Sequence, residues 1–146
     1  MLGLAVIGER GICRASVLIT LLAAACIIPQ SSTYAADLNG AWATDASSCN
    51  KVFVKKGNVV SFQQDSDQYG GGFILEGDKV RGQMQTCNIK VRKEDGSAIH
   101  ILAACATDIM ASNVQLSARI IDDNTILRIF PGMSDDLSIH YSRCSM

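Results

Sequence analysis

The chain has 146 residues, of which 48% are hydrophobic and 18% are charged, and its formal net charge at pH 7 is −1. Residues 37–146 carry 11 Lys and Arg against 13 Asp and Glu, without runs of either sign, which excludes a basic surface for nucleic acid or an anionic membrane. A chain of about 110 residues is long enough for one domain that folds alone. We therefore expect a single globular domain with no nucleic-acid partner.

Residues 1–36 have the pattern of a secretory signal peptide. Arg10 and Arg14 form a basic flank, residues 15–28 form an apolar core, and small residues follow as far as Ala36. The apolar core is shorter than the 18 or more residues of a membrane span. Cleavage after Ala35 or Ala36 would release a domain over residues 37–146 into the periplasm or out of the cell.

An alternative fate for the leader is lipidation at Cys26. The sequence from Leu22 to Cys26 is a degenerate lipobox, with alanine where leucine is usual. A lipid on Cys26 would make the protein a membrane-anchored lipoprotein. Without that lipid we expect no membrane partner.

The predicted domain opens on a segment that contains the only tryptophan of the chain, Trp42, two residues after Gly40. This Gly-x-Trp resembles the first-strand signature of lipocalins and related calycin barrels, and Tyr141–Cys144 resembles the last strand of that family. The resemblance implies that Gly40 lets the chain curl, that Trp42 plugs the closed end of a barrel, and that Arg143 lies across the indole. An arginine over an indole is a favourable cation–π contact.

Turn-forming residues recur at short intervals along residues 37–146, at 57–58, 70–72, 76–78, 94–96, 122–124 and 131–132. Between them, apolar and polar residues alternate, as in residues 87–92, 114–120 and 137–142, so each of these strands has one buried and one exposed face. No amphipathic helix is indicated. The pattern predicts an all-β domain, a small antiparallel up-and-down barrel of about eight strands, with a two-sheet β-sandwich as the alternative.

Four cysteines lie beyond the leader, at Cys49, Cys87, Cys105 and Cys144. An even number in an oxidising compartment predicts two disulfides, and the wide spacing differs from that of a structural zinc site. A hairpin centred on Gly96 places Cys87 opposite Cys105 and aligns Val91 with Ile101. That pairing leaves Cys49 to pair with Cys144, which would join the first strand region to the last strand.

A glycine run between two aromatic residues is the least ordinary stretch of the domain, and it consists of Tyr69, Gly70, Gly71, Gly72 and Phe73. It is a flexible hairpin loop or a strongly curled strand start, or else a contact loop at a barrel mouth whose aromatic rings meet a partner. Residues 65–68 make its approach acidic and polar.

The sequence contains no arrangement typical of an active site. A Gly-x-Ser-x-Gly elbow, a phosphate loop and a His-Glu-x-x-His motif are all absent. His100 lies within an apolar strand, His140 lies on a solvated face, and residues 122–124 suit a hairpin turn better than a calcium loop. We therefore expect no enzymatic activity, no metal site and no cofactor.

Two functions remain. Gly-x-Trp followed by Cys49 is similar to the opening of bacterial periplasmic protease-inhibitor barrels, which implies a non-catalytic periplasmic or secreted binding module whose partner is an extracytoplasmic protease or cell-wall hydrolase. The alternative is a lipocalin-like carrier of a small apolar ligand. The short chain and the Ile, Leu and Val at inward positions favour the first function, because they predict a filled barrel.

Overall fold

The structure is a computed structural model that describes residues 37–146. The strands are β1 (Gly40–Ala43), β2 (Phe53–Lys56), β3 (Val59–Phe62), β4 (Gly72–Glu76), β5 (Lys79–Arg81), β6 (Thr86–Asp95), β7 (Ala98–Ala106), β8 (Ala111–Asp122), β9 (Thr125–Ile129) and β10 (Ile139–Cys144). One short helix, α1 (Cys49–Val52), and three 3₁₀ turns (Ala46–Ser48, Ser66–Tyr69 and Asp135–Leu137) lie between them.

Eight of these strands close into an antiparallel barrel in the order β1, β10, β9, β8, β7, β6, β5, β4, with β1 hydrogen-bonded to β4. From β4 to β10 every strand pairs with its neighbour in sequence, as in an up-and-down barrel. Strands β2 and β3 form a separate hairpin, inserted between β1 and β4. The predicted all-β barrel of about eight strands is therefore confirmed, and closure leaves none of its eight strands with an unpaired edge.

The hairpin and α1 cover the outside of the barrel at β1 and β4. Trp42 belongs to the cluster that fills the lumen, together with Leu75 and Ile99. Its neighbours Ala41 and Ala43 point the other way and belong to a second buried cluster. That outer cluster also contains Val52, Phe53, Ile74 and Cys144. Both faces of β1 are therefore buried, which explains why its outward residues, Ala41 and Ala43, are small.

Both predicted disulfides are confirmed. Cys87 and Cys105 are directly opposed on β6 and β7, and both side chains belong to a buried cluster with Ala103. Cys49, the first residue of α1, is joined to Cys144, the last residue of β10. The second bridge fastens α1 to the barrel wall, and its two half-cystines lie 95 residues apart in sequence.

The register between β6 and β7 differs from the prediction beyond Ile89. A β-bulge after Ile89 pairs Val91 with Leu102 instead of Ile101, and Arg92 takes the position opposite Ile101. Val91 is consequently 55% exposed rather than buried. The two-residue turn at 96–97 specifies one register for the hairpin, and the Cys87–Cys105 bridge specifies another that differs from it by one residue. The extra residue of the bulge accommodates this difference.

Leu137 is not part of the last strand, which corrects the strand predicted over residues 137–142. It ends the 3₁₀ turn Asp135–Leu137, where its amide donates to the carbonyl of Ser134 at 3.1 Å, and its side chain is 57% exposed. The strand begins at Ile139. Ser134 and Asp135 favour a turn, and that local preference outweighs the apolar alternation that would have extended the strand.

We predict that opening the Cys49–Cys144 bridge destabilises the protein more than opening the Cys87–Cys105 bridge. The bridged residues are 95 and 18 residues apart, so the chain-entropy relation gives about 4–5 kcal/mol for the first and about 3 kcal/mol for the second. Paired Cys→Ala variants compared by urea unfolding measure this difference. Equal or reversed losses would show that α1 is held to the barrel chiefly by its apolar contacts.

Candidate functional site

Arg143 and Trp42 close one end of the barrel. The guanidinium carbon of Arg143 lies 4.3 Å from the centre of the indole, which is fully buried. The indole Nε1 donates a hydrogen bond of 2.9 Å to the carbonyl of Leu38, a buried residue of the segment that enters β1. The cation–π contact implied by the resemblance is present, and the tryptophan fills the lumen at this end.

The guanidinium of Arg143 also binds the main chain around the same end. Its Nε donates to the carbonyl of Asp123 at 2.7 Å and its Nη2 to that of Asp37 at 2.6 Å. Its Nη1 donates to the carbonyl of Asn39. Gly40 has a φ of +126°, and a Cβ there would lie 3.3 Å from Nη1. Glycine at this position therefore provides both the left-handed turn into β1 and the room for the guanidinium.

We call the opposite end of the barrel the open end, because the cavity in the lumen reaches the loop residues Gly82 and Gln85 there. Since consecutive strands are antiparallel, the connections β5–β6, β7–β8 and β9–β10 all lie at this end. Six large apolar side chains on these connections and on the 3₁₀ turn before β4 are between 45% and 89% exposed: Tyr69, Met84, Ile109, Met110, Met133 and Leu137. We call this group the apolar rim. Of these six residues, only Tyr69 was singled out from the sequence; apolar residues between turn-forming residues were a usable signal for the other five.

A cavity of about 220 Å³ occupies the lumen. It extends from Leu38, near the closed end, to Gly82 and Gln85 of the β5–β6 connection, so it reaches the open end. Most of its lining is apolar, and includes Phe73, Leu75, Val80, Ile99, Ile101, Val114, Leu116, Ala118 and Ile126. The sequence predicted a barrel filled by such side chains, but they leave space between them.

Arg128 and Tyr141 are polar residues in the lining of this cavity. Arg128 is opposite Ala118 and Ile139 in the β-sheet register, and its guanidinium carbon lies 4.8 Å from the centre of the Phe130 ring. Tyr141 packs edge to face against Phe73, with ring centres 5.1 Å apart. Arg128 could not be singled out from the sequence, because the inward direction of its side chain depends on the register of β9.

The predicted contact loop is divided between two environments. Tyr69 is part of the apolar rim and lies under the ammonium group of Lys51, whereas Phe73 lies in the lumen and stacks on Trp42 with ring centres 6.2 Å apart. Gly71 is hydrogen-bonded to Thr44 through its amide. A Cβ on Gly72 would lie 2.7 Å from the Trp42 carbonyl and 2.8 Å from the Phe53 ring. Gly72 therefore allows the hairpin to pack against the barrel.

The two histidines lie outside the barrel. Nδ1 of His100 is 2.9 Å from Oγ of Ser117, and both His100 and His140 are exposed. Within residues 37–146, no carboxylate hydrogen-bonds either ring, and no group of three or more His, Cys, Asp or Glu side chains could hold a metal ion. Residues 122–124 form the β8–β9 turn, where the Asn124 amide donates to Oδ1 of Asp122 at 2.8 Å.

Asp45 has a lowered pKa. It caps the 3₁₀ turn Ala46–Ser48, and hydrogen bonds from the hydroxyl and amide of Ser47, at 2.7 and 2.8 Å, hold the pKa of its carboxyl below the usual 3.8. These bonds stabilise the fold at neutral pH, and their contribution is lost as the pH falls through the lowered pKa. The carboxylate is exposed and acts as a cap.

Comparison with known proteins gives no match: no protein family, no curated protein and no solved structure matches this chain. Among residues 37–146, no helix is long and apolar enough to cross a membrane.

We predict that Trp42→Ala lowers the free energy of unfolding by about 3–5 kcal/mol, as for other large core truncations. Arg143→Met should cost less, about 1–3 kcal/mol, because it removes hydrogen bonds and a ring contact but keeps most of the stem packing. Urea unfolding measures both losses. The control is Arg119→Met on the outer face of β8, which should change the free energy of unfolding by about 0 kcal/mol. A larger loss for Arg143→Met than for Trp42→Ala would contradict the assignment of Trp42 as the main packing element of this end.

Proposed function

We propose that the protein is a non-catalytic carrier or binding protein for a small apolar ligand, which it holds inside the barrel. The observation that supports this function is the apolar cavity of about 220 Å³ that reaches the open end of the lumen. Ligand sites are typically concave and apolar with a few polar groups that fix orientation. The lumen has this composition, with Arg128, Tyr141 and Gln85 among the polar residues of a largely aliphatic lining.

The volume of the cavity limits the size of the ligand. An engineered apolar cavity of about 150 Å³ in another protein binds benzene. By proportion, a cavity of about 220 Å³ accommodates roughly eight or nine carbon atoms. This size suits a short acyl chain or a single substituted ring, and it is too small for a steroid or a retinoid.

We further propose that the protein is lipocalin-like and that residues 1–36 export it. The closed eight-stranded barrel, with Trp42 under Arg143 at one end, supports the first statement, and the two disulfides are compatible with an oxidising compartment outside the cytoplasm. The exported protein is periplasmic or secreted. The alternative fate, a lipid anchor at Cys26, concerns a residue outside the described part of the chain.

The apolar rim supports a second candidate function, the predicted binding or inhibition of an extracytoplasmic protease or cell-wall hydrolase. The six exposed large apolar side chains lie on the loops of one barrel end. Exposed apolar residues that are grouped in this way mark interaction sites, whereas single scattered ones do not. Asp65, Asp67 and Asp108 are exposed on the same loops, which favours a partner with a basic surface. Aromatic and methionine side chains are enriched at such interfaces.

We predict that octan-1-ol binds the protein with one molecule per chain and that Ala118→Phe weakens this binding at least tenfold. Ala118 lines the cavity, so a phenyl ring there occupies the space of the ligand. Ala104→Phe adds the same ring to the outer face of β7 and should leave affinity unchanged. Isothermal titration calorimetry measures both variants after thermal unfolding has shown that they fold. Unchanged octanol affinity in Ala118→Phe would place the ligand outside the lumen.

For the second candidate function, we predict that Met84→Ser with Ile109→Ser abolishes capture of an extracytoplasmic protein by the immobilised domain. The two residues are 87% and 89% exposed on neighbouring loops of the apolar rim. The matched control is Val59→Ser with Ile121→Ser, which removes exposed apolar residues elsewhere and should retain capture. Equal capture by both double variants would show that the rim is not the interface.

A further inference from the structure

The ligand cavity has an uncompensated positive charge. Among residues 37–146, Arg128 is the one charged residue that lines it, and no aspartate or glutamate of this range does. Within residues 37–146, the guanidinium of Arg128 makes no hydrogen bond and no ion pair, and its contact is with the face of the Phe130 ring at 4.8 Å. By contrast, Arg81 is 2.8 Å from the carboxylate of Glu76, and Arg143 binds main-chain carbonyls.

A partly buried cation without a counter-charge attracts an anion that enters the same space. Arg128 is partly buried, and charges interact more strongly at an apolar surface than in bulk water. A guanidinium can bind a carboxylate through two parallel hydrogen bonds, which fixes its orientation as well as its position. The unpaired state of Arg128 therefore favours a carboxylate over a neutral polar group as the head of the ligand.

Tyr141 provides a second donor. Its hydroxyl makes no hydrogen bond within the described residues, its ring packs against Phe73, and it lines the same cavity as Arg128. Among the described residues, no buried side-chain N or O atom lacks a hydrogen-bond partner, so this unpartnered hydroxyl has accessible surface. A free hydroxyl at the wall of an apolar cavity is thus available to a ligand.

We propose that the ligand is an anionic amphiphile, with a carboxylate head group bound by Arg128 and an apolar tail of roughly eight carbon atoms directed toward the closed end. Arg128 is the fourth residue of β9, which runs from the closed end to the open end, so the head group lies nearer the open end and the tail extends toward Leu38 and Leu75. This inference rests on the proposed function and specifies its ligand class.

The experiment compares three ligands that share a tail and differ in charge: octanoate, octan-1-ol and octylammonium, each titrated calorimetrically at pH 7.5. We expect octanoate to bind at least tenfold more tightly than octan-1-ol, and octylammonium more weakly than either. Arg128→Met should reduce octanoate affinity to that of octan-1-ol without changing octan-1-ol affinity. Arg119→Met, which removes an exposed arginine from the outer face of β8, should bind all three as the unmodified protein does.

Arg128→Lys is the second variant and keeps the charge while removing the planar fork. It should weaken the binding of octanoate severalfold and leave the binding of octan-1-ol unchanged. If Arg128→Met does not fold, Arg128→Lys still tests the role of the guanidinium. Equal affinities for octanoate and octan-1-ol in the unmodified protein would overturn the anionic ligand and leave the proposed function standing. A preference for octanoate that survives in Arg128→Met would overturn the role of Arg128. Failure of all three ligands to bind would overturn the proposed function itself.

Discussion

The stack of Arg143 on Trp42 connects the parts of the chain that are furthest apart in sequence. The two residues face each other on paired strands, β10 and β1, and so join the end of the domain to its beginning. The guanidinium then binds carbonyls of the entering segment and of the β8–β9 turn. One side chain thereby fixes the closing seam of the barrel and covers the indole from outside. The buried indole and the guanidinium hydrogen bonds to main-chain carbonyls close this end, whereas the cavity in the lumen extends to Gly82 and Gln85 at the other end.

The barrel wall has two halves of different thickness. At β1 and β4 the wall is buried on both sides, since the β2–β3 hairpin and α1 cover its outer face and the Cys49–Cys144 bridge fastens them. Close packing there requires small residues, which explains Ala41, Ala43 and Gly72. From β6 to β9 the wall is a single sheet with two bulges and an exposed outer face. The thick half provides most of the buried core, and the thin half supplies Arg128 and much of the cavity lining.

The open end combines features that serve different partners. Among the described residues, the lumen provides an apolar space with one cation, Arg128, and we propose that it binds a small molecule with an acidic head group. The apolar rim presents flexible methionine side chains around the mouth of the same space. A rim of this kind can receive an apolar ligand from a surface or contact a protein. The two proposed functions therefore share an end of the barrel but depend on different residues, so that each can be removed without the other.

Several features were determined by the sequence because they depend on local patterns. The alternation of apolar residues with polar ones specified strands and the recurrent turns specified hairpins. The number of short strands favoured a closed barrel but left a two-sheet sandwich as the alternative, which the structure excludes. The pairing of Cys87 with Cys105 followed from hairpin geometry, and the partner of Cys49 followed because one cysteine remained. The resemblance at Gly40, Trp42 and Arg143 located the closed end.

Other features depended on how the strands align in three dimensions. The bulge after Ile89 exposes Val91, and its position reflects a mismatch between a turn and a disulfide that appears only when both are formed. The inward direction of Arg128 depends on the pairing of β9 with β8 and β10, and a single-residue shift would place it in solvent. The cavity depends on the space that packed side chains leave, which their composition does not specify. Local patterns thus determined the strands and the crosslinks, whereas the register and the packing decided which side chains meet in the lumen.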